Sequence, residues 1–229
     1  MTEHIVTLRS NISINYPKEL DGGGVSQRHD FIKVLGLVGK QKYQNCFEWC
    51  AGFGGIGYEI LGHDLCEKLH FSDCYQPAIE NLRETAIKNN LSNKVNVYLS
   101  DAIQNIPVTE LFDLVVANPP HRPDKDGFLN YLIEAHGYKN LDDLMASNLR
   151  FWVDAWLRLI VDDGMKIHEE FFRNIKNKIT PDSDIFLSEV SYGDELQNMV
   201  SKNGFVLVEK YKVDSFNGYI LHFKVGGIK

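Results

Sequence analysis

From residue 44 onward, short apolar runs alternate with longer stretches whose apolar positions recur at helical spacing. Asn45–Trp49 reads as a buried strand, and the glycines after it lead into a helix through Ile56–Leu61. Lys68–Ser72 is a second strand. Gln76–Asn90 follows as a helix, with Ile79, Leu82 and Ile87 on its apolar face and Asn89-Asn90 as its stop signal. Val95–Leu99 and Phe112–Ala117 are the third and fourth strands. Asp163–Ile179 reads as a helix with Ile167, Phe171, Ile175 and Ile179 on one stripe, and Thr180-Pro181-Asp182-Ser183 turns into a fifth strand, Ile185–Val190. A helix near Gly193–Lys202 precedes Phe205–Val213 and Tyr219–Val225, which Asn217-Gly218 can join as an antiparallel hairpin. Such alternation predicts an α/β fold with a mostly parallel sheet covered by helices.

Two segments fall outside this rhythm. Residues 1–43 precede the first sheet strand and carry Gly22-Gly23-Gly24 followed by Ser26-Gln27-Arg28-His29. Residues 121–162 make a long connection where a short one would suffice, and include a helix over Leu141–Ile160 with Leu144, Phe151, Trp152 and Leu159 on one face. Open α/β sheets bind ligands beyond the carboxyl ends of their strands. This insert leaves from that edge, so it is expected to wall a substrate pocket, with extra packing on the sheet as the plainer alternative. The chain is thus read as an N-terminal lid or substrate segment, 1–43, and one domain, 44–229, with a helical insert at 121–162.

Composition narrows the partners. The chain has 229 residues, a formal charge of −7 and 24% charged residues, so a phosphate backbone would meet scattered rather than clustered bases. Nucleic acid therefore ranks behind a small molecule or peptide as substrate. Arg173, Lys176 and Lys178, with His168 and Glu169, are assigned to a solvated helix face. No apolar stretch approaches membrane-spanning length, and the start lacks a basic region followed by an apolar one, so the expected location is the cytoplasm, without a membrane partner. The four cysteines, Cys46, Cys50, Cys66 and Cys74, all lie in the first third, where reduced and mostly buried thiols are expected rather than a disulfide framework. No metal-ligand spacing is present: His168-Glu169-Glu170-Phe171-Phe172 misses the second histidine of a zinc-protease helix.

The chemistry gathers at the strand tips. Glu48-Trp49-Cys50-Ala51-Gly52-Phe53-Gly54-Gly55-Ile56-Gly57 follows a strand and opens a helix, a setting in which a ligand can approach the backbone. The glycine spacing also fits a dinucleotide fingerprint. A carboxylate at 48 instead suits a ligand carrying ammonium or sulfonium. Asp73 ends the second strand, where it can bind ribose hydroxyls, and Asp101 ends the third, within reach of an adenine amino group. The fourth strand ends in Asn118-Pro119-Pro120-His121. Two prolines cannot donate and hold fixed φ, so the corner is stiff and extended, with an Asn side chain and carbonyls able to accept two hydrogen bonds from one amino group.

With these residues the chain resembles the class I S-adenosylmethionine-dependent methyltransferases over about residues 44–225. Asn118-Pro119-Pro120-His121 is similar to the branch that methylates planar or amide nitrogens, which includes release-factor glutamine methyltransferases and base-amino methyltransferases. Val161-Asp162-Asp163-Gly164, followed by the helix with Phe171-Phe172, resembles the glutamine-methylating group. The likeness implies a Rossmann-like sheet of seven strands ending in the antiparallel hairpin, and S-adenosylmethionine as cofactor. It implies that Glu48, Cys50, Gly52, Phe53 and Gly54 hold the methionine part, that Asp73 and Cys74 lie at the ribose, and that Asp101 and Ala102 lie at the adenine. It further implies that Asn118 and the Pro119 carbonyl hold the acceptor nitrogen, with His121 beside it. Three positions depart from the family pattern: His121 stands where Tyr or Phe is usual, Cys50 replaces a glycine, and 43 N-terminal residues are short for the helical domain of release-factor enzymes.

Methyl transfer is an in-line displacement, so a positioned nucleophile supplies much of the catalysis. Phe53, Trp152 and Trp156 are candidate faces for the sulfonium, and His121 can stack on a planar substrate or take a proton. Arg28 and His29 are read as surface residues, with a lid role as the alternative. The leading expectation is N-methylation of a small metabolite or peptide side chain. Its rivals are methylation of an exocyclic amine of RNA or DNA, a cyclase that consumes S-adenosylmethionine and releases methylthioadenosine, a non-catalytic cofactor-binding subunit and, last, an NAD-dependent oxidoreductase.

Overall fold

The computed structural model describes residues 4–8, 11–16, 24–120, 124–147, 150, 153, 157, 161–162, 165–189, 193–215 and 218–226. An antiparallel hairpin, β1 (His4–Thr7) and β2 (Ser13–Tyr16), opens the chain and is followed by α1 (Gly24–Val38). Then come β3 (Tyr43–Trp49), α2 (Gly55–Gly62), β4 (Cys66–Asp73), α3 (Gln76–Lys88), β5 (Val95–Leu99) and β6 (Phe112–Ala117). The insert holds α4 (Lys125–His136) and α5 (Leu141–Ala146). The chain closes with α6 (Lys166–Ile175), β7 (Ile179–Glu189), α7 (Asp194–Lys202), β8 (Phe205–Lys212) and β9 (Tyr219–Val225).

The seven-stranded sheet has the order β5-β4-β3-β6-β7-β9-β8. Five strands are parallel, and β9 enters antiparallel between β7 and β8. This is the expected Rossmann-like α/β architecture with its C-terminal hairpin. The strands alternate their side chains between two apolar layers. Cys46, Val116, Phe186 and Ile220 face the layer under α1, α2 and α3, whereas Phe47, Trp49, Val115, Ala117 and Leu187 face the layer under α6 and α7. Trp49 stacks on Phe171 with ring centroids 4.0 Å apart, locking α6 onto the carboxyl end of β3.

Several expectations need correction. The helix expected over Leu141–Ile160 breaks at Ser147, whose ψ of 170° is extended; Arg150, Val153 and Leu157 are helical again beyond it. Phe151, Trp152, Trp156 and Leu159 lie outside the described residues. The insert also holds a helix that its apolar spacing did not announce, α4, whose Phe128, Leu129 and Leu132 pack with Leu144 and Val153 into a small separate core. Ile87 is 66% exposed: the buried face of α3 runs through Ala78, Ile79, Leu82, Thr85 and Ala86. The Thr180–Ser183 turn lies within β7 as a register shift, with Phe112 paired to Ile179 and Leu114 to Asp184. There the Ser183 hydroxyl donates to the Phe112 carbonyl. Lys178 does not sit on a solvated face. It is 6% exposed and its ammonium donates to the carbonyls of Ile106 and Pro107. No helix among the described residues is long and apolar enough to cross a membrane.

Candidate active site

The tips of β3, β4 and β5 are tied together by the backbone and by Asp73. The Ala51 N–H donates to the Ser72 carbonyl at 3.1 Å and the Ser100 N–H to the Asp73 carbonyl at 2.9 Å. Asp73 Oδ2 accepts from the Gly52 N–H and Oδ1 from the Tyr75 N–H, both at 2.9 Å. The loop between β3 and α2 is thereby held open, with three of its residues, Cys50, Gly52 and Gly54, at φ of 53°, 54° and 81°. A Cβ at Gly54 would stand 2.5 Å from Leu82 Cδ2, so the sign of φ and the space both demand glycine there. Cys50 adopts the left-handed conformation that its glycine-like position requires.

Glu48 lies beneath this loop at 2% exposure, and its Oε2 accepts from the Gly57 N–H at 2.6 Å. Gly54, the N-cap of α2, offers no side chain, so this carboxyl takes over the capping of the helix start. Burial pushes the Glu48 carboxyl up to about 8, against the N–H bonds from Gly57 and Ile56 and with help from Asp73. A carboxyl that holds its proton more tightly in the fold gives stability that is complete below its ordinary value of 4.5 and is lost as pH rises through about 8. The loss is on the order of 5 kcal/mol. Glu48→Gln removes this titration, so urea unfolding is expected to show the variant gaining on the wild type as pH rises from about 5 to about 9. Parallel curves would contradict the assignment.

Gly57 is equally constrained. An added Cβ would lie 2.6 Å from Glu48 Oε2 and 2.8 Å from both Leu69 and Phe71. Gly57→Ala is expected to destabilise the fold by about 1–3 kcal/mol, read as a lower urea midpoint. An unchanged midpoint would mean that Glu48 is free to move.

Asp73 and Asp101 both lie near enough to Cys50 to act on its thiol. Burial pushes the Cys50 thiol up, and the neighbouring charges of Asp73, Cys74, Asp162 and Asp101 add to it. Asp101 and Cys74 are exposed, whereas Ala102 is buried with φ of 46° and its carbonyl accepts from the Ser72 hydroxyl at 3.2 Å. Phe53 is 2% exposed, with its ring edge-on to Tyr16 at 5.3 Å, so the N-terminal hairpin covers it. Asn118 is half-buried and Pro119 and Pro120 are buried at the tip of β6, one strand from the glycine loop. His121 lies outside the described residues. All four cysteines are free thiols; Cys46 and Cys66 are buried. Among the described residues, no group of three or more His, Cys, Asp or Glu could hold a metal ion.

Two polar clusters escaped the sequence reading. His168 is fully buried rather than solvated, held between Asp162 Oδ2 at 2.6 Å on Nδ1 and Glu189 Oε1 at 2.7 Å on Nε2. Burial pulls the imidazolium down, but the Glu189 charge and the bonds to Asp162 and Glu189 outweigh it and raise the group to about 9. Asp162 also caps α6 through the N–H groups of Ile167 and His168. The network joins the end of the insert to the tip of β7, and the edge of Trp49 closes over the imidazole at 5.8 Å. The second cluster is Glu59 on α2, 0% exposed, which faces Arg28 at 3.8 Å, His29 at 3.5 Å and His63 at 3.3 Å. Arg28 and His29 thus anchor α1 to α2 rather than standing free on the surface. An aspartate before a helix was a visible capping signal for the first cluster; Glu189 and Glu59 offered none, because their partners are remote in sequence.

The sheet order and the left-handed glycine loop define a Rossmann-like fold whose strand tips carry acidic residues. Residues 34–136 match the family described as Methyltransferase small domain. No curated protein matches the sequence. Among solved structures, the chain is similar to the ribosomal protein L11 methylase of Lactobacillus delbrueckii subsp. bulgaricus. That likeness has 11% identity and a TM-score of 0.56, over 89% of this chain and 79% of that one. It is also similar to the M1A22 tRNA methyltransferase TrmK of B. subtilis, with 8% identity and a TM-score of 0.58 over 87% of this chain and 65% of that one. The mitomycin 7-O-methyltransferase MmcR gives 13% identity and a TM-score of 0.53, over 91% of this chain and 53% of that one. The chain thus spans less than two thirds of the length of TrmK and of MmcR. The family match and the fold support an S-adenosylmethionine-dependent methyltransferase, with S-adenosylmethionine as its methyl donor.

Proposed function

We infer that the protein transfers the methyl group of S-adenosylmethionine to a nitrogen of a small metabolite or peptide side chain. The observation that carries this reading is the Asn118-Pro119-Pro120 corner ending β6, immediately beside the glycine loop of β3. The acidic donor set fits the cofactor: Asp73 suits the ribose diol and the exposed Asp101 suits the adenine amine with Ala102 beside it, while Glu48, buried and protonated beneath the loop, holds the loop that would meet the methionine part. Cys50, Gly52, Phe53, Gly54 and Cys74 complete that cradle. The bound cofactor supplies an electrophilic methyl group on a sulfonium. Asn118 Oδ1 and the Pro119 carbonyl accept the hydrogens of the acceptor amine, which keeps its lone pair from delocalising and directs it along the line of displacement. His121 follows the corner and stacks on the acceptor or takes its proton.

The test is an acceptor screen with S-adenosylmethionine, scored by S-adenosylhomocysteine release and the mass of the product. It includes amines, amides, peptides, RNA and DNA, because TrmK is a tRNA methyltransferase. Methylation on nitrogen of a small molecule or peptide is the expected result. Methylation only on oxygen, or only of nucleic acid, would displace the reading, as would release of methylthioadenosine without an acceptor.

A further inference from the structure

The apolar stripe by which α1 covers the sheet is interrupted by polar residues at its first turns. Phe31, Val34 and Leu35 enter the same core as Phe186, Val213 and Ile220. One turn earlier, on the same face, stand Gln27 and Asp30, each only 4% exposed. Because α1 leads down into the start of β3, its N-terminal turns lie toward the carboxyl edge of the sheet, the edge that carries Asn118. The loop after β8 reaches the same edge, since Tyr219 at the start of β9 pairs with Glu189 at the tip of β7. Lys33 ties the two together, with its ammonium 3.7 Å from Asp30 Oδ1 and 3.9 Å from Asp214 Oδ2.

Under these turns the sheet presents polar groups as well. Pairing of Ala117 with Leu187 sets Asn118 level with Ser188, and the pleat turns both toward the side of Val116 and Phe186, beneath α1. Gln27 Oε1, Asp30 Oδ2, Ser188 Oγ and Ser215 Oγ are buried atoms with no hydrogen-bond partner among the described residues. A buried acceptor left unmatched is costly, and native interiors hold few of them. Chain direction and strand register assign all four to the edge where ligands of such sheets bind.

We propose that Gln27, Asp30 and Ser188, with Ser215 at the rim, receive the donor-rich part of the methyl acceptor and orient it toward Asn118. Amide oxygen and carboxyl accept, and the hydroxyls do either, so the pocket selects a compact nitrogen compound with several N–H groups: an amidine, a guanidine or an aminated ring. A carboxylate or phosphate on that part of the molecule is refused by Asp30. This inference rests on the methyltransferase reading and gives it a substrate class. It also gives α1 a purpose beyond covering the sheet.

The probe is benzamidine, titrated calorimetrically into the full chain saturated with S-adenosylhomocysteine, with benzoate as its acceptor-only counterpart. The wild type is expected to bind benzamidine and not benzoate. Asp30→Asn and Gln27→Leu are expected to weaken benzamidine by about tenfold or more while binding S-adenosylhomocysteine as the wild type does. Ser188→Ala, the smallest change, is expected to weaken it less, and serves as the readout if either larger change fails to fold. Benzamidine binding equally to the wild type and all folded variants would overturn the proposal, as would benzoate binding as well as benzamidine. S-adenosylhomocysteine binding without benzamidine binding would overturn the pocket alone, whereas failure of S-adenosylhomocysteine to bind would overturn the methyltransferase reading with it.

Discussion

His168→Ala is expected to cost about 3–5 kcal/mol of folding stability, among the largest effects of any single substitution in the chain. The imidazolium lies between Asp162 and Glu189, at 2.6 and 2.7 Å, and all three side chains are at most 3% exposed. Removing the ring leaves two buried carboxyls facing a cavity with no cation between them. Each must then be desolvated without return or take up a proton. The sign with pH follows from the raised value. His168 contributes stability that is fully present below its ordinary 6.5 and is lost as pH rises through about 9. Urea unfolding near pH 6 is therefore expected to separate wild type and variant most, with the gap narrowing above about pH 9. A variant within 1 kcal/mol of wild type, about the value of an ordinary neutral hydrogen bond, would show that the network is not an ion pair. Because Asp162 also caps α6, Asp162→Ala should lose the helix cap in addition, whereas Asp162→Asn keeps part of it.

Asn118→Ala is expected to lower turnover by about 100-fold or more, with the fold intact and S-adenosylhomocysteine affinity changed far less. The amide side chain is half-buried, and the stiffness of the corner comes from Pro119 and Pro120. What the substitution removes is an acceptor that holds the nucleophile in line, an interaction worth most when the reacting nitrogen is near the methyl carbon. Asn118→Asp keeps an acceptor but adds charge beside the sulfonium, and should retain more activity than the alanine variant on a cationic acceptor. The measurement is single-turnover S-adenosylhomocysteine formation with an acceptor from the screen. Turnover unchanged in Asn118→Ala would remove the corner from the chemistry.

The parts of the fold legible in the sequence were those fixed by local pattern. Val95–Leu99, Phe112–Ala117 and Tyr219–Val225 end where their apolar runs end, and the glycine loop follows from residues adjacent in the chain. The parts that were not legible depend on partners far away. His168 sits on a helix whose polar residues look solvated, and only the meeting of Glu189 with that helix makes the interior polar there. Lys178 is buried because two carbonyls at 106 and 107 happen to lie opposite it. Ile87 is exposed although it fits the helical spacing, since the face of α3 is set by the sheet beneath it. The helix Lys125–His136 is a different case. Asp124 caps its start, bonding to the Gly127 N–H at 3.0 Å, and Gly137 ends it with φ of 71°; both signals stood in the sequence. Gln27 and Asp30 were visible only as polar letters in a lid segment, and their burial on the sheet-facing side of α1 is what raises the question of a ligand.

The central claim, that these strand tips hold S-adenosylmethionine, is tested most directly by calorimetric titration with S-adenosylmethionine and S-adenosylhomocysteine, followed by mass analysis of the incubated cofactor. Binding of both, with the cofactor unchanged in the absence of acceptor and with affinity lost in Asp73→Ala, is the expected result. A folded wild-type protein that binds neither would contradict the account at its root.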